Sequence, residues 1–185
     1  MQYHTHNQGY SLVEVLVAIA ILLLSLVGPL AIASKSLQST YYSREQTTAI
    51  FLAQEGVAAF YAARNDHALE FFNGDIADAW TWTSDSSLNN CYTNGCNLDF
   101  ASSDPLSNIE SCSTAANCTL FFNASANRSQ YNITSGDTTQ YRRIIVLDQS
   151  NPGEMTVEST VYWNAQLFNN TEQSVTLTGA VYDIY

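Results

Sequence analysis

Basic residues are scarce in this sequence. Six Lys and Arg residues stand against seventeen Asp and Glu residues, which gives a formal net charge of −11. Residues 65–127 contain eight acidic residues and no Lys or Arg at all. A protein that binds DNA or RNA needs a basic surface for the phosphates, and the only adjacent basic residues are Arg142 and Arg143. The composition therefore argues against a nucleic-acid partner for this chain by itself.

Residues typical of catalytic sites are also few. Two of the three histidines, His4 and His6, lie near the N-terminus, which leaves only His67 in the rest of the chain. The sequence has no G-x-S-x-G motif and no Gly-rich phosphate loop. Asp75 and Asp78 suggest a calcium site, but scattered acids more often form a solvated face. We therefore predict no enzyme activity, no catalytic residue, no metal site and no cofactor.

Charged residues make up only 12% of the chain, about half the share of a typical soluble domain. One reason is an uncharged run at residues 15–34. An α-helix of this length covers about 30 Å, the thickness of a bilayer core, so the run predicts a transmembrane helix. A cleaved secretory signal is the alternative, with residues 31–33 (Ala-Ile-Ala) resembling its cleavage site, although the apolar regions of signals are usually shorter.

The helical pattern continues beyond the apolar run. Residues 35–64 are rich in strong helix formers, so we predict one helix from Tyr10 to about Arg64. Its first part, residues 10–34, is apolar on all sides, and its second part, residues 35–64, is amphipathic. A kink is expected at Gly28 and Pro29, because proline lacks the N–H that bonds the preceding turn of a helix.

An apolar stripe on the second part of this helix is expected to pack against a domain in water. The stripe consists of Tyr42, Ala49, Ile50, Ala53, Val57 and Phe60. Residues placed away from it are Arg44, Thr47, Thr48 and Glu55.

Four cysteines, Cys91, Cys96, Cys112 and Cys118, lie in a polar stretch well after the apolar run. An even number of cysteines in an exported segment indicates two disulfides. Zinc is the alternative, but zinc ribbons prefer two-residue gaps, whereas these pairs have gaps of four and five residues. Three pairings are possible. The local pairs are favoured because residues 93–95 (Thr-Asn-Gly) are a turn signal that would bring Cys91 and Cys96 together.

The C-terminal part of the chain, residues 141–185, carries a strand pattern. Apolar and polar residues alternate over residues 155–163, and residues 141–147 and 174–185 are also predicted strands. Turn residues at 151–153 and 169–171 separate the three strands, which indicates an antiparallel meander.

Residues 65–140 are predicted to be a loop-rich, disulfide-bearing region with a few short strands, one of them at residues 120–122. Trp80 and Trp82 are expected to pack in the core, and an exposed binding patch is the alternative. The predicted fold class is α+β, with the long N-terminal helix packed on the C-terminal antiparallel sheet.

The N-terminal segment resembles the start of type IV pilins and type II secretion pseudopilins. Gly9 is followed by the aromatic Tyr10, by Glu14 at the fifth position counted from Tyr10, and by the uncharged run. In that family the same combination marks a leader peptide, a cleavage site and a methylated N-terminus. The segment that starts at Ser11, Ser-Leu-Val-Glu-Val-Leu-Val-Ala, is most similar to the corresponding segment of minor subunits. The layout of long helix, disulfide-bearing region and C-terminal sheet is also similar to the family.

This resemblance implies a route of processing, membrane insertion and assembly for the chain. A prepilin peptidase would cut between Gly9 and Tyr10, releasing residues 1–9 as a leader, and would methylate the new Tyr10 amine. The subunit would span the cytoplasmic (inner) membrane once, with its C-terminal domain outside. It would then join a cell-surface or periplasm-spanning filament. The implied partners are the lipid bilayer, the peptidase, other pilin or pseudopilin subunits, a membrane platform protein and an assembly ATPase.

Three features depart from the family pattern. The leader has no Lys or Arg while Lys35 follows the apolar run, and this charge distribution alone favours the opposite membrane orientation. Tyr10 replaces the commoner phenylalanine, and Pro29 lies slightly earlier than is usual in major pilins.

Glu14 is not needed for anchoring, because residues 15–34 are already long enough to span a bilayer. A carboxylate in hydrocarbon is costly unless it is paired. Cleavage after Gly9 would create a positive amine four residues before Glu14. We therefore expect Glu14 to pair with the Tyr10 amine of a neighbouring subunit and to fix the register of the helices. The alternative role for the chain is an extracytoplasmic binding module, either an adhesin or a substrate-contacting domain.

Overall fold

The computed structural model describes residues 11–100, 105–114, 118–124, 129–165 and 171–183. The chain divides into two compact units, Met1–Ser43 and Arg44–Tyr185. The described part of the first unit is helical from Leu12 onward. The second unit contains the rest of that helix and an antiparallel β-sheet, which confirms the predicted α+β class.

Helix α1 spans Leu12–Asn73 and therefore continues beyond Arg64, where the helix was predicted to end. The apolar periodicity weakens after Arg64, but Ala68 is still buried and holds this last part of the helix on the core. The helix ends where Gly74 adopts a φ of +80°, and the Gly74 amide donates to the carbonyl of Phe71 at 3.0 Å. A glycine in this left-handed conformation is a common helix stop.

A short second helix and seven strands follow α1 in the described part of the chain. Their bounds are α2 Asn89–Thr93, β1 Cys96–Leu98, β2 Ile109–Ser111, β3 Thr119–Ala124, β4 Ser129–Asn132, β5 Asp137–Asp148, β6 Glu154–Ala165 and β7 Thr171–Tyr182. Short 3₁₀ helices lie at Thr81–Ser84, Ser86–Leu88 and Pro105–Ser107.

Strand β5 organises the sheet, because both of its edges are paired. One edge pairs with β6 over residues 142–148, and β6 then pairs with β7 along their full lengths. The other edge pairs with β3 near its start and with β1 at Ile145. Strands β4 and β2 extend β3 and β1 outward. All of these pairings are antiparallel.

The predicted meander is confirmed as β5, β6 and β7, and the predicted strand at residues 120–122 lies within β3. The first predicted turn contains Gly153 with a φ of +72°. The second predicted turn falls largely on residues 166–170, which lie outside the described residues. Met155, Val157, Val161 and Trp163 alternate along one face of β6 and are buried, as the strand pattern predicts.

From Ala49 onward, the predicted stripe of α1 is confirmed as the face that packs on the sheet. Ala49, Ala53 and Phe60 are buried, and the other members of the stripe are half-buried. The placement of Glu55 away from this face was wrong. Position 55 lies three residues after the buried Leu52, so the two residues share a helix face and Glu55 reaches the sheet.

Two glycines set the close approach between helix and sheet. A Cβ atom added to Gly56 in α1 would lie 2.5 Å from the hydroxyl oxygen of Ser159 in β6. A Cβ atom added to Gly179 in β7 would lie 2.5 Å from a methyl carbon of Val57. Real Cβ atoms essentially never approach other heavy atoms this closely, so a larger residue at either position requires the facing side chain or the helix itself to shift.

The substitution Gly56→Val is expected to lower the free energy of unfolding by about 1–3 kcal/mol, the usual cost of overpacking a core. Gly28→Val is the matched control, because a Cβ atom at Gly28 meets nothing within 4 Å. Urea unfolding of the chain in detergent micelles, followed by tryptophan fluorescence, measures the difference. Equal unfolding midpoints for the two variants would contradict the close packing of α1 on β6.

Candidate functional site

The first part of α1 is an apolar surface that the protein leaves uncovered. Every residue from 11 to 40 is exposed, and the uncharged run at residues 15–34 lies entirely within the helix. An 18-residue window of α1 has a mean hydropathy of 2.9, and none of that window is buried. By length and composition this helix is able to cross a membrane, which agrees with the predicted transmembrane segment.

Glu14 lies in the first turn of α1 and is exposed. The N-terminal end of a helix carries partial positive charge, so a carboxylate is well placed there. Gly9 and Tyr10, the predicted cleavage and methylation positions, lie outside the described residues. The pairing of Glu14 with a neighbouring amine stays a prediction.

Pro29 lies inside α1, and the helix continues through it. The side chain of Ser25 donates to the carbonyl of Leu22 at 2.8 Å in the turn before the proline. A Cβ atom at Gly28 would meet only open space, so this position leaves room for close approach by another helix. The predicted kink at Gly28 and Pro29 stays a prediction.

A buried arginine ties α1 to the sheet in the second unit. Arg143 in β5 is only 1% exposed. Its Nε donates to Oδ1 of Asn97 at 2.9 Å, and its Nη2 donates to the carbonyl of Leu98 at 2.9 Å. Its Nη1 donates to two groups on α1, the carbonyl of Leu52 at 3.2 Å and a carboxylate oxygen of Glu55 at 2.9 Å. Each of the three guanidinium nitrogens therefore has an acceptor.

Two opposing effects act on the charge of the Arg143 guanidinium, namely its burial and the nearby carboxylates. Burial lowers the pKa of the Arg143 guanidinium, and the carboxylates of Glu55 and Asp99 oppose that shift. Arginine remains protonated because its ordinary pKa is so high. The guanidinium also lies 4.6 Å from the ring centroid of Phe100, in a cation–π contact. The cluster is therefore a charged crosslink in the core.

Two disulfides lie close to β1, the strand that supplies two of the four acceptors for Arg143. Cys91 pairs with Cys96 and Cys112 pairs with Cys118, with Cα–Cα distances of 4.6 Å and 5.5 Å. These are the local pairings favoured by the sequence, and they leave none of the four thiolates to bind zinc. The side-chain amide of Asn97 also donates to the carbonyl of Cys118 at 3.4 Å, which links the second disulfide to the arginine cluster.

A family model described as the prokaryotic N-terminal methylation motif matches residues 4–28. The chain carries this methylation motif. The motif is characteristic of type IV pilins and pseudopilins. No curated protein and no solved structure matches the chain.

The motif confirms the resemblance drawn from Gly9, Tyr10 and Glu14, because all three residues lie within the match. It supports a pilin-like or pseudopilin-like precursor that a prepilin peptidase processes and that assembles with other pilin subunits. The family of proteins with this motif is structural. The apolar helix near the N-terminus fits a membrane-anchored pilin.

Sequence reasoning missed the role of Arg143, although a signal was present. Arg143 is an even number of positions away from Tyr141, Ile145 and Leu147 in β5, and all three of those residues are buried. Every second residue of a strand points to the same face, so an arginine in this series must be buried with them. Its acceptors could not be identified, because β1 is a three-residue strand without a clear pattern.

Trp80, Trp82 and Asp78 in the acidic region have structural roles. Trp82 belongs to the buried core and Trp80 packs against it, which confirms the predicted core role. A carboxylate oxygen of Asp78 accepts from the Trp80 amide at 2.8 Å and so shapes a turn. Within the described ranges, no group of three or more His, Cys, Asp and Glu side chains is arranged to hold a metal ion.

The substitution Arg143→Met is expected to cost about 3–5 kcal/mol of stability, because it breaks a buried ion pair and leaves carbonyl and amide oxygens without donors. Arg142→Met is the control, since Arg142 pairs at 2.9 Å with a largely exposed Glu172 and such pairs contribute about 1 kcal/mol or less. Denaturant unfolding of both variants gives the comparison. Similar losses for the two arginines would show that the buried cluster does not stabilise the fold.

Proposed function

We propose that the chain is a structural subunit, a minor pilin or pseudopilin, of a type IV pilus or type II secretion-type filament. Cleavage between Gly9 and Tyr10 and methylation of the Tyr10 amine precede assembly through α1. The observation that carries this proposal is the methylation motif at residues 4–28 at the start of a helix with a fully exposed apolar surface.

The exposed apolar surface of α1 suits two environments that the subunit occupies in succession, the membrane and the filament. The lipid bilayer covers the apolar residues before assembly, because such a surface is unfavourable in water. In a filament, the same residues of neighbouring helices cover one another. A helix without a charge from residue 15 to residue 34 exchanges one apolar environment for the other at little cost in free energy.

Glu14 fixes the register in which this otherwise uniformly apolar surface packs against a neighbouring helix. A helix with only apolar residues packs in many registers, whereas a carboxylate requires a positive partner. The amine created at Tyr10 by cleavage is such a partner when it belongs to the neighbouring subunit. The pairing neutralises two charges in the same step, and it selects a single axial offset between subunits.

The proposed location follows from the processing route. The leader faces the cytoplasm, α1 crosses the inner membrane once, and the unit Arg44–Tyr185 lies on the outside. Its two disulfides are consistent with an oxidising compartment. A membrane platform protein and an assembly ATPase are the proposed partners that move the subunit into the filament.

A second candidate function is a binding module at a filament tip or on the cell surface. One observation favours it. The unit Arg44–Tyr185 has a groove of about 710 Å³ at the C-terminal end of α1, which is the size of a typical ligand site. This role is compatible with assembly through α1, because the two use different parts of the chain.

The substitution Glu14→Ala is expected to abolish incorporation into filaments while leaving the chain in the membrane, because the helix keeps its apolar surface and loses its register. Filaments sheared from cells and blotted for the subunit measure incorporation, and membrane fractions measure insertion. Glu110→Ala serves as the control, since it removes an exposed carboxylate from the sheet. Normal incorporation of the Glu14→Ala subunit would refute the register pairing.

The mass of the mature chain tests the processing route directly. Intact mass spectrometry of the membrane-extracted protein is expected to show loss of residues 1–9 and the addition of one methyl group at Tyr10. Cleavage after Ala33 would instead identify a secretory signal, and would exclude both α1-mediated anchoring and the proposed assembly. An uncut chain would mean that the leader without Lys or Arg is not processed.

A further inference from the structure

Strand β7 forms a long open edge of the sheet. It spans Thr171–Tyr182 and, among the described residues, it pairs only with β6. The other outer strands, β2 and β4, have only three and four residues. Natural sheets usually protect a long edge with proline, lysine or a bulge, because its unpaired N–H and C=O groups bind further strands. Strand β7 has no proline, Lys or Arg, and its register with β6 is unbroken over its full length.

Two hydrogen bonds show which backbone groups of β7 point to the open side. The Asp183 amide donates to the carbonyl of Gly153 at 2.9 Å, so residue 183 directs its backbone groups toward β6. Alternate residues of an antiparallel strand direct these groups to opposite sides, so the even-numbered residues of β7 face outward. The Ala180 carbonyl agrees with this assignment, because it accepts from the hydroxyl of Tyr61 in α1 at 3.1 Å.

The outward carbonyls at both ends of β7 have already recruited side-chain donors. Ala180 accepts from Tyr61, and Glu172 accepts from the side-chain amide of Gln173 at 3.3 Å. Between them lie residues 174–178, which we call the open edge. No hydrogen bond joins the outward backbone groups of the open edge to another residue in the described part of the chain. The open edge therefore offers alternating donors and acceptors to an added strand.

An apolar strip runs beside the open edge on the face that packs under α1. Val57 and Tyr61 of α1 lie over Gly179 of β7. Residues two apart on a strand share a face, so Val175 and Leu177 lie on the same side and are half-buried. An added strand would place every second side chain next to Val175 and Leu177 and would cover their exposed part. The strip therefore favours a segment with apolar residues at alternate positions.

The opposite face of the sheet beside β7 is acidic. Glu158 of β6 lies opposite Thr178 and is exposed, and Glu172 is exposed near the start of β7. Strands β5, β6 and β7 direct one basic side chain to this face, Arg142, which already pairs with Glu172 at 2.9 Å. Neighbouring strands lie about 4.8 Å apart, so a lysine on an added strand lies within the Debye length of Glu158. The face therefore attracts a basic segment and repels an acidic one.

A second copy of this chain does not fit the open edge. Pairing of β7 with β7 of a second copy around a two-fold axis makes an antiparallel ladder, with both α1 segments on the same face of the sheet. The two α1 segments from Arg44 onward would then run in opposite directions. Chains that are anchored in one membrane through α1 need them to run in the same direction. The occupant is therefore a strand that another protein supplies.

We propose that β7 binds an extended segment of a partner protein as an additional strand of the sheet. The segment has apolar residues at alternate positions, which pack beside Val175 and Leu177, and Lys or Arg at positions between them, which face Glu158. Its backbone pairs with the open edge, and this gives affinity in the same way as in other cases of strand addition. The interaction goes beyond filament assembly through α1, because β7 lies outside residues 4–28 that carry the methylation motif.

The test uses the full-length chain in detergent micelles with its disulfides intact, at about 0.15 M salt. The probe is a fluorescently labelled peptide, Thr-Val-Lys-Val-Thr-Val-Lys, and binding is followed by fluorescence anisotropy. Ser174→Pro removes an outward N–H, which edge strands tolerate, and is expected to weaken binding at least fivefold. The control Ser174→Ala keeps the N–H and is expected to change binding less than twofold.

Two methylated forms of the probe test strand pairing without changing the protein. One form is methylated on the backbone nitrogens of its odd-numbered residues, and the other on those of its even-numbered residues. Only one edge of an added strand faces β7, so one form is expected to bind at least tenfold more weakly and the other within threefold of the unmethylated probe. Equal weakening by the two forms would overturn the proposal, as would absence of binding to the parent chain.

Two further measurements test the identity of the occupant. A probe with glutamate in place of lysine is expected to bind at least fivefold more weakly, and equal binding would refute the proposed basic partner. Sedimentation of the parent chain in micelles is expected to show no self-association that Ser174→Pro removes. Such self-association would identify a second copy as the occupant and would overturn the proposal. The proposed filament role is tested separately, through Glu14 and the mass of the mature chain.

Discussion

Burying the Arg143 guanidinium removes a full positive charge from water, and the loss of hydration destabilises the fold unless protein groups replace the water. The replacement comes from two elements at once. Asn97 and Leu98 accept from the β1 side, and Leu52 and Glu55 accept from α1. No one of these elements satisfies the charge alone, so the helix and the two strands depend on each other. The small residues of α1 follow from this constraint, because a carbonyl of the helix reaches Arg143 only if the helix lies close to the sheet.

Strand β1 is the least secure of the three elements, since it has three residues and a single paired position with β5. The disulfides compensate for this weakness. One of them closes the turn that leads into β1 at Cys96, and the amide of Cys112 donates to the carbonyl of Gly95 at 2.9 Å, directly before the strand. Crosslinks of this kind stabilise mainly by restricting the unfolded chain. The two acceptors of Arg143 in β1 therefore stay in place although that strand is short.

The parts of the fold that obey a simple period were predictable from the sequence. The helix with its apolar stripe, the three strands of the meander and the local disulfides all follow from repeating patterns or turn residues. The missed features depend on contacts between residues far apart in sequence. Glu55 looked like a solvent-facing charge because its partner lies in β5, and the groove could not be predicted because α1 and the 3₁₀ segment meet only in the folded chain. The functional motif at the N-terminus was recognisable for the opposite reason, since its residues are consecutive.

Arg143 and Glu14 pose the same physical problem, a charge among apolar residues, and the chain provides for them differently. Arg143 finds its counter-charge within the same unit, so its pairing contributes to the stability of a single subunit. Glu14 is exposed on an apolar helix whose described neighbours in the unit Met1–Ser43 include a single basic residue, Lys35, more than five helical turns away. A charge that the described residues of the subunit do not neutralise favours any state in which another molecule supplies the partner. The first charge therefore holds one molecule together, and the second is the charge that a neighbouring molecule neutralises in the proposed filament.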